Sequence, residues 1–171
     1  MAGSVFQRAR MRSMNPYMTK GAAASARAIE QLSAQLGGPT WDERRDPDRF
    51  TPREVLAHLA DWEPILRARI EGALGSPDFV ITPYDETQRA EAGAYSSKDP
   101  QASLRLFLAD RARTVALLGT LTHDQLALTA THPENGPMTV SDLAAFFLGH
   151  DAYHIDQLLE YLAEPKTVGT W

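Results

Sequence analysis

The segment from Thr139 to Tyr161 repeats an apolar residue at every third or fourth position, which is the period of one face of an α-helix. Two histidines occupy this stripe, whose members are Leu143, Phe147, His150, His154, Leu158 and Tyr161. Thr139 is typical of a helix N-cap, and Asp142 stands three residues later in the place of the usual glutamate. Because residues four apart leave the same face of a helix, we predict that both imidazoles face the core.

An imidazole among leucine and phenylalanine side chains needs a partner for each ring nitrogen, either a hydrogen bond or a metal ion. Two interpretations therefore stay open. His150 and His154 are core histidines hydrogen-bonded to backbone or carboxylate groups, or they are ligands of one ion. The spacing alone does not decide, since a chain with five histidines also produces such a pair by chance. A metal site requires a third ligand.

The stretch Thr51-Pro52-Arg53-Glu54 predicts the start of another helix. Thr51 fits the N-cap, proline fits the first helical position, and the glutamate three residues after the cap completes a capping box. The apolar face of this helix comprises Val55, Leu59, Trp62, Leu66 and Ile70, and the helix is predicted to end near Gly75. His58 lies beside this face, so we identify it as the third candidate ligand.

Two further helices are predicted, one beginning at Thr19 and one at Asp99-Pro100. The second of these has a stripe that comprises Leu104, Leu108, Arg111, Val115 and Leu118. Arg111 interrupts an otherwise apolar row. It is predicted either as an edge residue whose head reaches water or as an anion-binding group beside the site.

With no convincing strand run and no internal repeat, the chain is predicted to be all-α. The expected architecture is a four-helix bundle with a long crossover between helices 2 and 3 and a short extra helix within residues 84–95. The predicted boundaries are a flexible N-terminal extension over residues 1–18, the bundle over 19–163 and a C-terminal tail over 164–171. Residues 120–138 are predicted as a loop with two surface histidines, His123 and His132.

Composition limits the partners. A net charge of −5 and a pI near 5.5 argue against nucleic-acid binding, which depends on a clustered basic face. No stretch approaches the roughly 20 apolar residues of a membrane span, and no secretory signal is recognisable, so a cytoplasmic location without a membrane partner is expected. The chain has no cysteine. Histidine and carboxylate are therefore the available strong metal ligands, and any thiol chemistry needs an external thiol.

The residues around the histidines resemble the DinB-like superfamily. The similarity rests on Thr51-Pro52-Arg53-Glu54-Val55-Leu56-Ala57-His58-Leu59-Ala60 and His150-Asp151-Ala152-Tyr153-His154-Ile155-Asp156-Gln157, and it extends over roughly residues 19 to 163. The resemblance implies a four-helix bundle, commonly a homodimer, that binds a divalent metal through His58, His150 and His154. It also implies a relation to thiol-dependent S-transferases and to a mycothiol-dependent isomerase.

Three imidazoles suit zinc, nickel or iron and leave at least one coordination position open. The groups predicted to support the ligands are Asp61, Asp151 and Gln157, and those predicted to form a substrate pocket are Trp62, Arg111, Phe146, Phe147 and Tyr153. Asp151 is also interpreted as a solvated helix position. It follows His150 directly, where the metallopeptidase motif His-Glu-x-x-His carries its glutamate, and the shorter side chain argues against a peptidase.

Two classes of function remain. In the first, the protein is a metal-dependent enzyme that acts on a small electrophilic molecule, either as a hydrolase or as a transferase that uses an external low-molecular-weight thiol. In the second, it is a non-catalytic stress-response or binding protein whose metal site is structural or vestigial. A closed ligand shell favours the second class and an open position the first.

Overall fold

The computed structural model describes residues 16–163. In this range the helices are α1 (Pro16–Ser33), α2 (Pro52–Gly75), α3 (Glu86–Ala92), α4 (Pro100–Thr120), α5 (His123–Leu126) and α6 (Val140–Leu162). Short 3₁₀ turns cover Gly38–Asp42 and Tyr95–Ser97, and two strands, β1 (Thr129–His132) and β2 (Gly136–Thr139), form a hairpin. The four long helices confirm the predicted all-α bundle, and α3 is the predicted extra helix within the crossover.

The predicted helix starts are confirmed by their caps. The Thr51 hydroxyl accepts a hydrogen bond from the backbone of Glu54, whose carboxylate accepts one from the backbone of Thr51. Thr139 and Asp142 form the same reciprocal pair at the start of α6. Helix α1 already includes Pro16, the first described residue, three residues before the predicted start at Thr19. The rest of the predicted extension, residues 1–15, and the predicted tail, residues 164–171, lie outside the described range.

The hairpin is a structure that the sequence did not predict. Its strands pair antiparallel from Thr129 opposite Thr139 to His132 opposite Gly136, and Gly136 has the positive φ of 74° that such a turn favours. Backbone hydrogen bonds of 2.9 Å also join Thr131 to Phe79 and to Ile81 in the crossover. Strands of four residues are too short to show alternation clearly. Strand β1 therefore pairs with β2 on one side and with the crossover on the other. The prediction that His132 lies on the surface is wrong, because its side chain is buried.

Each long helix packs mainly against two others, in the cyclic order α1, α4, α2, α6. Helices α1 and α2, consecutive in the chain, therefore lie diagonally opposite each other, as do α4 and α6. The crossover that contains α3 connects α2 to its neighbour α4. In the described range, no helix has both the length and the apolar character that crossing a membrane requires.

A buried polar layer separates two apolar clusters of the core. One cluster includes Ala22, Trp62, Leu66, Leu118 and Phe147, and the other includes Ala26, Leu56, Leu59, Phe107 and Leu158. Between these positions each long helix contributes one polar residue, and the four are Ser25, Glu63, Arg111 and Asp151. Arg111 is 2% exposed and Asp151 is 0% exposed.

Arg111 contacts all four long helices. It donates to both carboxylate oxygens of Glu63 in α2, at 2.9 and 2.7 Å, and to Asp151 in α6, where its Nη2 lies 2.8 Å from Oδ1. It also donates to Ser25 Oγ and to the Ala22 carbonyl in α1, both at 3.1 Å. Burial alone would lower the pKa of Arg111, but the hydrogen bonds to Asp151 and Glu63 outweigh it and raise that pKa.

These contacts correct three predictions. Arg111 is neither an edge residue nor a pocket residue, because two buried carboxylates occupy its guanidinium. Asp151 is not a solvated position or a partner of a histidine ring, because its carboxylate binds Arg111 and the Ser25 hydroxyl. Phe147 lies in the core, fully buried, and its ring centroid is 5.5 Å from the Arg111 guanidinium, so it does not line a pocket.

We predict that Arg111→Met lowers the free energy of unfolding by about 3–5 kcal/mol, because Glu63 and Asp151 would then be buried without a compensating charge. Arg113→Met, on the same helix, removes only an exposed ion pair with Asp110 and should cost under about 1 kcal/mol. Urea denaturation of the two variants measures the difference. Equal losses would show that the buried layer does not stabilise the bundle.

Candidate metal centre

His58 from α2 and His150 and His154 from α6 converge at one point beside the polar layer. One ring nitrogen from each histidine lies within 4.8 Å of the others, and the Nε2 atoms of His58 and His150 are 2.8 Å apart. The three ring centroids are separated by 4.6 to 5.0 Å. His58 and His154 are buried, and His150 is partly exposed. The adjacent helices α2 and α6 thus bring together the three histidines that the sequence suggested as metal ligands.

A chain of hydrogen bonds sets the tautomer of His154. The Gln157 amide nitrogen donates to the Phe50 carbonyl at 2.7 Å, and a carbonyl can only accept. The amide oxygen of Gln157 must therefore face His154 Nδ1, which lies 3.1 Å away and donates to it. The proton on Nδ1 leaves Nε2 as the lone-pair nitrogen of His154. Gln157, which the sequence placed near this ring by spacing, thus orients it.

A residue of the crossover helix, Glu86, faces His58. Its Oε1 lies 3.3 Å from His58 Nδ1, although the alignment falls short of a hydrogen bond, so this buried nitrogen has no hydrogen-bond partner among the described residues. Asp61, which the sequence suggested for this place, is elsewhere. Its carboxylate accepts hydrogen bonds from Arg89 at 2.8 Å and from the Tyr95 hydroxyl at 2.6 Å. Asp61 follows His58 by about one helical turn, but residues of the crossover hold its carboxylate away from the ring.

Burial keeps the three imidazoles neutral in the metal-free protein. Desolvation is the largest cause in each case, and it lowers the pKa from 6.5 to about 2 for His58, about 3 for His154 and about 4 for His150. The proximity of the other rings lowers the pKa of His58 and His154 further. Neutral imidazole is the form that binds metal ions.

The donor set fits a divalent transition-metal ion. Two nitrogens bound to one ion at about 2.0–2.1 Å lie about 2.9–3.4 Å apart, depending on the bond angle, and the 2.8 Å between His58 Nε2 and His150 Nε2 is close to the lower value. Two neutral rings in contact can share only one proton, so an ion satisfies both nitrogens better than their mutual contact does. Among the described residues the cluster contains three histidines and no carboxylate ligand.

Aromatic side chains surround the histidines. The ring of Trp62 lies 5.6 Å from His58, and the ring of Phe146 stacks against His150 at 6.0 Å. Tyr153 packs edge-on against His154 at 5.1 Å, with the Arg49 guanidinium over its other side. These contacts contribute to the burial that lowers the pKa values of the three histidines.

A cleft of about 230 Å³ opens beside the histidines. Its walls are Trp62, Leu66, Arg69, Pro83, Tyr84, His132, Glu134, Asn135, Met138, Leu143 and Phe146. Of the residues that the sequence suggested for a pocket, Trp62 and Phe146 line this cleft. Tyr153, 54% exposed, is not among the lining residues.

Several residues around the site have no sequence signal. Glu86, Tyr84 and Tyr95 come from the crossover, and His132 comes from the hairpin. Their positions depend on how these segments fold back over α2, which periodicity does not report. The capping residue Asp85 was the available sign that a helix begins beside Glu86.

The fold and the site together define a class: a four-helix bundle with a buried cluster of three histidines between two adjacent helices. The sequence model of the DinB superfamily matches residues 22–158. The chain belongs to the DinB superfamily, which confirms the resemblance carried by the two histidine motifs.

Two relatives have similar sequences. YfiT of Bacillus subtilis (strain 168), a proposed metal-dependent hydrolase, is 31% identical over 135 residues, which are 78% of this chain and 73% of YfiT. A protein of Oceanobacillus iheyensis with the same proposed activity is 31% identical over 129 residues, 75% of this chain and 74% of that protein.

Solved structures extend the comparison. The structure of YfiT, described as having an unusual four-helix bundle topology, superposes with a TM-score of 0.80 at 25% identity and covers 85% of this chain and 84% of YfiT. The mycothiol-dependent maleylpyruvate isomerase superposes with a TM-score of 0.69 at 14% identity, over 84% of this chain and 60% of the isomerase. This second likeness shows a shared fold.

The low histidine pKa values predict an acid-sensitive metal-free protein. Below pH 6.5 the unfolded chain binds protons that the buried rings of His58 and His154 do not, so the free energy of unfolding should fall as the pH drops from about 6.5 towards 4. The expected slope is on the order of 1 kcal/mol per pH unit for each ring. Urea denaturation of chelator-treated protein between pH 7 and 5 measures it.

A matched pair of variants assigns this slope. His154→Gln should make the dependence shallower, whereas His123→Ala, which changes an exposed histidine, should leave it unchanged. The same slope in wild type and His154→Gln would show that the acid sensitivity does not come from the buried histidines.

Proposed function

We propose that His58, His150 and His154 hold a divalent ion, zinc, nickel or iron, and that the protein is a metal-dependent enzyme acting on a small electrophilic molecule. The observation that carries the proposal is the convergence of three neutral imidazoles, each with one ring nitrogen within 4.8 Å of the others. When bound, such an ion supplies a Lewis acid with at least one open coordination position. The absence of a carboxylate from the described cluster supports an open position, and with it catalysis rather than a structural role.

The residues of the chain have distinct parts in this proposal. Gln157, held by the Phe50 carbonyl, fixes the ring of His154, and Glu86 provides a carboxylate on the far side of His58. Trp62 and Phe146 exclude water from the histidines and form the wall shared with the cleft. A substrate in that cleft would lie next to the ion.

Hydrolysis is the reaction that the comparisons favour, since both relatives with 31% identity are proposed metal-dependent hydrolases. Transfer of an external thiol to the electrophile is the second candidate. It is supported by the shared bundle of the mycothiol-dependent isomerase, and the lack of cysteine means that the thiol must come from a small molecule. The homodimer and the cytoplasmic location stay predictions from the sequence.

The ligand assignment predicts a specific pattern of metal content. Untagged wild-type protein purified without chelator should contain about one divalent ion per chain by elemental mass spectrometry. His58→Ala, His150→Ala and His154→Ala should each lose it, because two imidazoles hold an ion much more weakly than three. His123→Ala and His132→Ala should keep it. Equal metal content in all five variants would disprove the three-histidine site.

Catalysis is tested separately with the metal-loaded enzyme. Activated esters and haloarenes, each with and without a low-molecular-weight thiol, should distinguish a hydrolase from a thiol transferase. Activity should disappear with chelator and in His150→Ala, and return when zinc, nickel or iron(II) is added to the wild type. The coordination is tested by replacing the metal with cobalt and adding imidazole or azide. If neither ligand changes the spectrum of the cobalt site, its coordination shell is closed. That result would favour the non-catalytic alternative.

A further inference from the structure

Arg69, in α2, is half-buried but has no carboxylate partner in the described part of the chain. Its polar contact is a long hydrogen bond of 3.4 Å from Nη2 to the Thr82 carbonyl, and its buried Nε has no partner. The guanidinium lies 5.6 Å from the centroid of the Trp62 ring. Burial lowers the pKa of Arg69, in contrast to the ion-paired Arg89 and Arg53, whose pKa values are raised. A partly desolvated cation that faces a cleft without a carboxylate partner is a candidate anion site.

Two more donors belong to the same cleft. The indole Nε1–H of Trp62 is buried and has no hydrogen-bond partner among the described residues. His132 accepts backbone hydrogen bonds at Nδ1 from Glu134 and Asn135, at 3.2 and 3.4 Å, so its proton is on Nε2, the remaining polar atom of the ring. Arg69, Trp62 and His132 all line the cleft. The buried Trp62 Nε1–H and Arg69 Nε–H are costly without acceptors, and a bound acceptor would satisfy them.

The rest of the cleft restricts the size and charge of its ligand. Leu66, Met138, Leu143 and Phe146 make much of the wall apolar, and the volume of about 230 Å³ corresponds to roughly eight water molecules. One guanidinium neutralises one negative charge. Glu134, the carboxylate at the cleft, is exposed, and it repels a doubly charged ligand more strongly than a singly charged one. These features favour a small carboxylate over a phosphate dianion.

We propose that this cleft is a carboxylate subsite, in which Arg69 and the Trp62 indole bind the carboxylate of a small, partly apolar molecule next to the three histidines. Trp62 connects the two sites, since its ring lies 5.6 Å from His58 on one side and 5.6 Å from the Arg69 guanidinium on the other. As a substrate subsite the assignment rests on the proposed enzymatic function, and it specifies the substrate class: an electrophile that carries a carboxylate group.

The test uses ¹⁵N-labelled full-length protein, as purified and after metal removal, titrated with benzoate and with its neutral analogue benzamide. The indole N–H signal of Trp62 and the Nε–H signal of Arg69 report binding directly, and Trp62→Phe assigns the first. Benzoate should shift both signals, and benzamide should bind much more weakly. In Arg69→Gln the affinity for benzoate should fall by about tenfold or more, because a charge-assisted pair is lost.

Two further variants complete the design. Arg105→Gln removes an exposed arginine of α4 and should leave benzoate affinity unchanged. Arg69→Lys keeps the charge but cannot present two parallel donors, so its affinity should also fall, and it decides the question if Arg69→Gln does not fold. Unchanged affinity in a folded Arg69 variant, equal binding of benzamide, or tighter binding of inorganic phosphate would each overturn the carboxylate subsite.

The outcomes separate the two proposals. If benzoate binds through Arg69 but the protein never binds a metal ion, the proposed enzymatic function is wrong and the carboxylate subsite is supported. If the metal-loaded protein binds benzoate equally well without Arg69, the carboxylate subsite is wrong and the proposed metal site is unaffected.

Discussion

A guanidinium can stay charged inside an apolar bundle only when acceptors surround it, and Arg111 meets this condition through contacts with every long helix. Glu63 and Asp151 fix α2 and α6 relative to α4, and Ser25 and the Ala22 carbonyl add α1. A rotation of α2, α4 or α6 would leave a buried charge without its partner. The layer therefore selects one arrangement of the four helices, whatever its net contribution to stability.

The same layer determines where the histidines meet. Asp151 follows His150 directly in α6, and Glu63 lies five residues after His58 in α2. When both carboxylates bind Arg111, the neighbouring turns of α2 and α6 bring the three imidazoles into contact with one another. The apolar and aromatic side chains around them then remove water, and this keeps the rings neutral and ready to bind an ion.

The same fold occurs in the proposed hydrolase YfiT and in a mycothiol-dependent isomerase, so the scaffold alone does not specify a reaction. Under the proposed function, specificity in this chain would come from the segments that fold over the bundle. The crossover contributes Tyr84 and Glu86, and the hairpin contributes His132 and Glu134, all within reach of the histidines or the cleft. Together with Arg69 they give the proposed metal site a donor-rich side and an apolar side.

The sequence by itself determined the four long helices, the caps of α2 and α6 and the choice of the three histidines as candidate ligands, because 3.6-residue periodicity and capping chemistry are local properties. Thr51 and Thr139 are the N-caps that were predicted, and α4 begins at the predicted Asp99-Pro100. Gln157 lies one turn from His154, where helical spacing puts it. Only the tertiary structure decided the roles of Arg111, Asp151 and Phe147, since the partner of a buried charge depends on which helices become neighbours. It alone also revealed the hairpin, Glu86 and the unpaired Arg69, because these depend on contacts between segments far apart in the chain.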